Sequence, residues 1–137
     1  MSRMCLDTTV LSEAIREKPD ALAVLHQLEQ RGDVAVTTAH NVYEAAVGAL
    51  RLKSTDGQLG VFARLRRLLD GIEVLPFDLE VAFEAARISA ALSARGRPPP
   101  TMDLLTVSVA RRGGCAAIVT RNVADLKRIG LIEVVGY

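Results

Sequence analysis

Tryptophan is absent from the 137 residues, and three Phe and two Tyr are the whole aromatic complement. A surface that grips nucleic acid by stacking many bases is therefore not expected. There are two cysteines, Cys5 and Cys115, with no C-x-x-C and no His pair at ligand spacing. That excludes a four-ligand zinc site. Each cysteine borders an apolar run and reads as a small buried hydrophobe. His26 falls on a helical pattern and reads as a packed or surface residue, whereas His40 stands close to Glu44. No apolar run approaches the ~20 residues of a membrane helix. No basic segment followed by an apolar stretch opens the chain, so no secretory leader is read and the cytoplasm is the expected compartment. A net charge of +1 gives no strong lean toward a polyanion or a membrane surface.

What is present reads as one ordinary globular domain over residues 1–137, half hydrophobic and a quarter charged. Short apolar runs alternate with helical patterns. Strands are expected at Arg3–Leu6, Val34–Thr37, Ile72–Leu75, Ala116–Thr120 and Ile132–Val135. Between the first two, Val10–Glu17 reads as a short helix stopped by Lys18-Pro19, and Asp20 is placed to cap the next one. Thr38 caps a helix through Leu50 that carries Glu44. Ser54–Gly57 reads as a turn before the amphipathic Leu59–Leu69 helix, and Asp78 caps a helix through Leu92. A three-proline loop, Arg97-Pro98-Pro99-Pro100, then delivers Asp103 to the first turn of a helix ending at Gly113-Gly114. This order predicts an α/β fold, with a central parallel sheet of about five strands and helices on both faces.

In such a sheet the carboxyl ends of the strands face the crevice where ligands bind. Asp7 ends the first strand, so it is either a helix cap or aimed at a site. Glu44 follows the second strand, Asp103 begins the helix before the fourth, and Asn122 and Asp125 follow the fourth. Each has a plain reading: an exposed helix glutamate, an acid complementing a helix dipole, a turn Asn, a solvent-facing helix acid. Their joint placement on one sheet edge argues for more. Carboxylates converging there repel one another unless a cation sits between them. Hard oxygen donors select Mg²⁺ or Mn²⁺. Setting Asp7, Glu44, Asp103 and Asp125 aside leaves the 17 basic residues in excess over the remaining acids, which suits a metal-dependent enzyme acting on a polyanion.

These residues resemble a known family. Leu6-Asp7-Thr8-Thr9-Val10-Leu11-Ser12-Glu13 is similar to the opening signature of PIN-domain nucleases, especially the VapC-type toxins of toxin–antitoxin pairs. Glu44 with Gly48 resembles that family's E-x-x-x-G helix, and Asp103-Leu104-Leu105 with Ala110 resembles its D-x-x-I-A-A-x-A segment. Val119-Thr120-Arg121-Asn122-Val123-Ala124-Asp125-Leu126 resembles its V-T-R-N-x-x-D-F segment. Three departures stand out. Thr106-Val107-Ser108-Val109 replaces the favoured small residues, Asn122 stands where many relatives carry a fourth carboxylate, and Leu126 replaces Phe. The resemblance implies a metal-dependent endoribonuclease in which Asp7 and Asp103 hold Mg²⁺ or Mn²⁺ directly or through water. Glu44 and Asp125, or Asn122 in place of the latter, would complete the site. Thr8 or Thr120 would orient ligands, and Arg121, Arg111 and Arg97 would hold the RNA backbone. It further implies a homodimer and a small cognate antitoxin, with the Leu59–Leu69 helix offering apolar surface to either.

Other classes fit less well. A HAD-type phosphatase needs D-x-D after its first strand, and the third position here is Thr9. A phosphoacceptor receiver domain needs adjacent acids at the first strand and a lysine after the last, and has neither. The non-enzyme alternative is a PIN-like module that grips a protein or nucleic-acid partner without cutting, and Asn122 is the residue that admits it.

Overall fold

The computed structural model describes residues 1–96 and 98–137. Arg97, one of the arginines expected at the RNA backbone, lies outside them. Twelve elements follow in order: β1 (Arg3–Leu6), α1 (Thr8–Ile15), α2 (Pro19–Gln30), β2 (Val34–Thr38), α3 (Ala39–Leu50), α4 (Thr55–Leu69), β3 (Glu73–Leu75), α5 (Leu79–Ala94), α6 (Thr101–Arg112), β4 (Ala117–Thr120), α7 (Val123–Ile129) and β5 (Glu133–Gly136). The strands form one sheet in the order β3-β2-β1-β4-β5, and every pairing is parallel.

This order reverses direction at β1. The chain steps outward through β2 to β3, then returns to the other side of β1 for β4 and β5. With right-handed crossovers, that reversal puts the first helices on one face and the later ones on the other. Alternation along the strands matches. Met4, Leu6, Ala117 and Val119 pack with Val10, Leu11, Ile15, Val24, Leu28, Ala45, Val61 and Leu65 of α1–α4. Cys5, Val36 and Ile118 pack with Val81, Leu92, Val107, Leu126 and Ile129 of α5–α7. The crevice between β1 and β4, where the order reverses, is the natural ligand position of such a sheet.

Local chemistry sets the element ends. Thr38 caps α3 through Asn41 N, and Asp78 caps α5 through Val81 N. Two expectations shift. Asp20 does not cap α2; Lys18 holds the cap position and Pro19 the first turn, where a missing N–H costs nothing. The Ser54–Gly57 turn is instead the start of α4, with the Ser54 hydroxyl accepting from Gly57 N at 3.0 Å. α4 turns Val61 and Leu65 into the core while Leu59 stays exposed. Gly130 ends α7 in the left-handed region, at φ 72°, a conformation that favours glycine. No described helix is long and apolar enough to cross a membrane.

Leu6 is fully buried at the end of the central strand. Leu6→Ala is expected to cost about 2–5 kcal/mol, read as a lower urea midpoint with little change in slope.

Candidate active site

Asp7 is both cap and site residue. It is buried at 6 % exposure because β1 ends there and α1 begins at the next residue. Its Oδ1 accepts from Thr9 N at 3.0 Å, Val10 N at 3.3 Å and the Thr9 hydroxyl. Its Oδ2 accepts from the Thr120 hydroxyl at the end of β4. Burial raises the Asp7 pKa, and the hydrogen bonds from Thr120, Thr9 and Val10 oppose that shift. The two hydroxyls are fixed in turn: Arg121 N donates to Thr9 Oγ1 and Asn122 N to Thr120 Oγ1, both at 2.9 Å. The β4–α7 turn thus holds the carboxylate that ends β1.

Glu44 lies one turn and a half into α3, half-buried, and its Oε1 accepts from the Thr8 hydroxyl at 2.7 Å. Asp103 sits in the first turn of α6. Its pKa is raised, first by burial and then by the negative charges of Asp125, Asp7 and Glu44. Four acids from four separate segments therefore share one electrostatic neighbourhood at the β1–β4 crevice. Asp125 also pairs with Arg128 one turn on, at 3.7 Å.

The donor set fits a hard divalent cation. It consists of carboxylate oxygens, and one member is already pushed toward protonation by burial and then by the charge of the others. Among the described residues no three His, Cys, Asp or Glu side chains stand close enough to form a complete metal cage. Water would have to supply part of the coordination, as it usually does for Mg²⁺.

The other expected residues fall differently. Asn122 is exposed at the cap of α7 and makes no side-chain cap bond. The Arg121 guanidinium is exposed but engaged by partners within the chain. It donates to both Glu13 oxygens, at 2.7 and 3.3 Å, and to the Tyr137 carbonyl at 3.1 Å, and it lies 4.3 Å from the centroid of the Tyr137 ring. That contact holds the Glu13 carboxyl below its usual range. Arg111 is in the last turn of α6, 3.6 Å from Glu84. Eight residues of helix put it about 12 Å along the axis from Asp103, toward the opposite edge of the sheet. Neither arginine converges on the acids. A 380 Å³ hollow beside Tyr137, between α2 and the β4–β5 edge, has none of the four acids in its lining.

The residue missed from sequence is Asn41, with the contact that the buried Thr106 makes to it. Asn41 accepts from the hydroxyls of Thr38 (2.6 Å) and Thr106 (3.3 Å) and donates to Thr8 Oγ1 (2.9 Å). A His40 ring nitrogen stands 2.8 Å from Thr106 Oγ1. Burial depresses the His40 pKa against the pull of Glu44. The available signal was Thr106, a hydroxyl where the helix pattern calls for an apolar residue.

Comparison with known proteins gives one family. The family described as PIN domain matches residues 4–131. The tRNA(fMet)-specific endonuclease VapC of Shigella flexneri is 28% identical over 130 residues, spanning 95% of this chain and 94% of its own. VapBC2 from Rickettsia felis, solved bound to a DNA fragment from its promoter, superposes with a TM-score of 0.83 at 21% identity, covering 98% of each chain. VapBC-5 from Mycobacterium tuberculosis, of the VapBC family of toxin–antitoxin systems, gives 0.71 at 25% identity over 100% of each chain.

The raised Asp103 pKa carries a linkage consequence. The native state holds that proton more tightly than the unfolded chain, so ionising Asp103 weakens folding as pH rises from the ordinary Asp range through the raised value. In EDTA, Asp103→Asn is expected to raise Tm by a few degrees at neutral pH. The gain should vanish as the pH is lowered below the ordinary Asp range, and melts across that range check it.

Proposed function

The chain belongs to the PIN domain family, and from that premise we propose that it is a Mg²⁺- or Mn²⁺-dependent endoribonuclease acting as the VapC-type toxin of a toxin–antitoxin pair. The observation that carries this reading is that Asp103 lies within the electrostatic influence of Asp125, Asp7 and Glu44, acids that come from separate segments of the chain. The Shigella relative, a tRNA-specific endonuclease, supports RNA as the substrate and structured tRNA as the first class to test. The VapBC relative of a toxin–antitoxin family supports a cognate antitoxin. A homodimer is part of the same reading.

Asp7 and Asp103 would hold the ion, with Glu44 and Asp125 acting directly or through water. A bound divalent ion supplies a water of lowered pKa as nucleophile and neutralises charge developing on the phosphoryl oxygens. The chain's own residues do the positioning. Thr9 and Thr120 fix the plane of the Asp7 carboxylate, and Oδ2, which accepts one hydrogen bond against three at Oδ1, is the oxygen left to meet an ion. Thr8 does the same for one oxygen of Glu44. Asp103 rides on the first turn of a well-packed helix, a rigid mount for a ligand. Asp125, half-committed to Arg128, is the more adjustable member. Arg121 acts as a structural clamp in this reading rather than as a phosphate ligand.

Asp7→Asn and Asp103→Asn should each lower Mn²⁺-dependent cleavage of a tRNA panel on the order of a hundredfold or more, measured as initial rates on gels. Equal rates in wild type and both variants would overturn the assignment.

A further inference from the structure

The buried polar cluster around Asn41 ties α1 and α3, which pack closely on each other, to α6, which meets them little. α1 and α3 belong to one layer and α6 to the other. Asn41, a residue of α3, is 2% exposed and bonds to α1, to α6 and to Thr38 at the end of β2. Its Nδ2 donates to Thr8 of α1 at 2.9 Å, and its Oδ1 accepts from Thr38 at 2.6 Å and Thr106 of α6 at 3.3 Å. Its own N–H donates to Thr38 Oγ1 at 3.1 Å.

Counting protons fixes the direction of this chain. The Thr8 hydroxyl has one proton and gives it to Glu44 Oε1. It must therefore receive one from Asn41, which sets the amide with Nδ2 toward Thr8 and Oδ1 toward Thr38 and Thr106. A Glu side chain has three rotatable bonds, and Glu44 is otherwise only half-enclosed. The order in its carboxylate comes through Thr8, and Thr8 is held by an amide that cannot turn without losing the hydroxyl donated by Thr38; the single Thr106 proton is shared between Asn41 Oδ1 at 3.3 Å and the Met102 carbonyl at 3.0 Å. Burying such a group unpaired is costly, so the cluster is kept whole.

We infer that Asn41 is a positioning residue for Glu44: through Thr8 it sets the carboxylate's orientation toward a divalent ion, and through Thr106 it ties that setting to the helix that carries Asp103. The inference rests on the metal-site reading of Glu44 and adds to it a residue outside the acid set. No sequence segment of the family resemblance contains Asn41, and Thr106 is one of this chain's departures from it.

The test is Mn²⁺ titration calorimetry on the folded full chain, with Tm recorded for every variant. Thr8→Val and Asn41→Leu should each weaken Mn²⁺ binding about tenfold. Thr8→Ser, which keeps the hydroxyl, should bind as wild type does. Adding Thr8→Val to Glu44→Gln should cost nothing beyond Glu44→Gln alone, because both act on one carboxylate. Asn41→Ser, too short to reach Thr8, replaces Asn41→Leu where that variant does not fold. Wild-type affinity in the Thr8→Val and Asn41 variants, or losses that add to that of Glu44→Gln, would overturn the inference while leaving the metal site standing. A Glu44→Gln chain that binds Mn²⁺ as tightly as wild type would instead remove Glu44 from the site, and the inference with it.

Discussion

The hydrogen bond from Thr120 to Asp7 spans the crevice on which the site depends. β1 and β4 are neighbours in register, Leu6 opposite Val119, yet between them the sheet reverses its winding, so the helices that follow the two strands diverge to opposite faces. Beyond the last paired residue the backbone ladder adds one bond, from Asp7 N to the Val119 carbonyl at 3.2 Å. Thr120 adds a side-chain tie to Asp7 Oδ2, and Thr9, itself gripped by the Arg121 N–H, adds a second. The carboxylate most deeply buried at the crevice is thereby also the fastener of the crevice.

That double duty explains the balance of forces on the acids. Asp7 is raised by burial but steadied by four donors. Among the described residues Asp103 has no comparable donors, and its proton affinity rises through burial and through its neighbours' charge. The native fold without a cation therefore carries a concentrated electrostatic cost, placed on the start of a helix whose own Val107, Val109 and Ala110 anchor it in the core. Local frustration of this kind, in a chain otherwise consistent with its fold, is the usual mark of a working site.

Most of this was legible from the sequence because it is written in short-range chemistry. Strand ends followed by Asp7, Thr38 and Asp78 announce helix starts, and the alternation of runs fixes a parallel sheet with both faces covered. The acids were legible because their positions relative to strand ends are local. What was hidden depends on distant pairing. Nothing near Arg121 says that Glu13 and Tyr137 will occupy its guanidinium, and Arg111 looks basic and available until α6 is seen to carry it away from Asp103. The Asn41–Thr8–Glu44 chain joins residues 33 and 36 apart in sequence. Ser54–Gly57 misled for a different reason: capping residues and turn residues are the same residues.

The two outermost strands have a consequence for the molecule's behaviour in a crowded solution. β3 is three residues long, is followed at once by Pro76, and has Glu73 pinned to Arg3 at 2.8 Å. β5 is four residues long and is flanked by the Arg121–Tyr137 contact. Short, charged or interrupted rims offer little template for an incoming chain to extend the ladder, so this protein should resist sheet-to-sheet polymerisation even at high concentration.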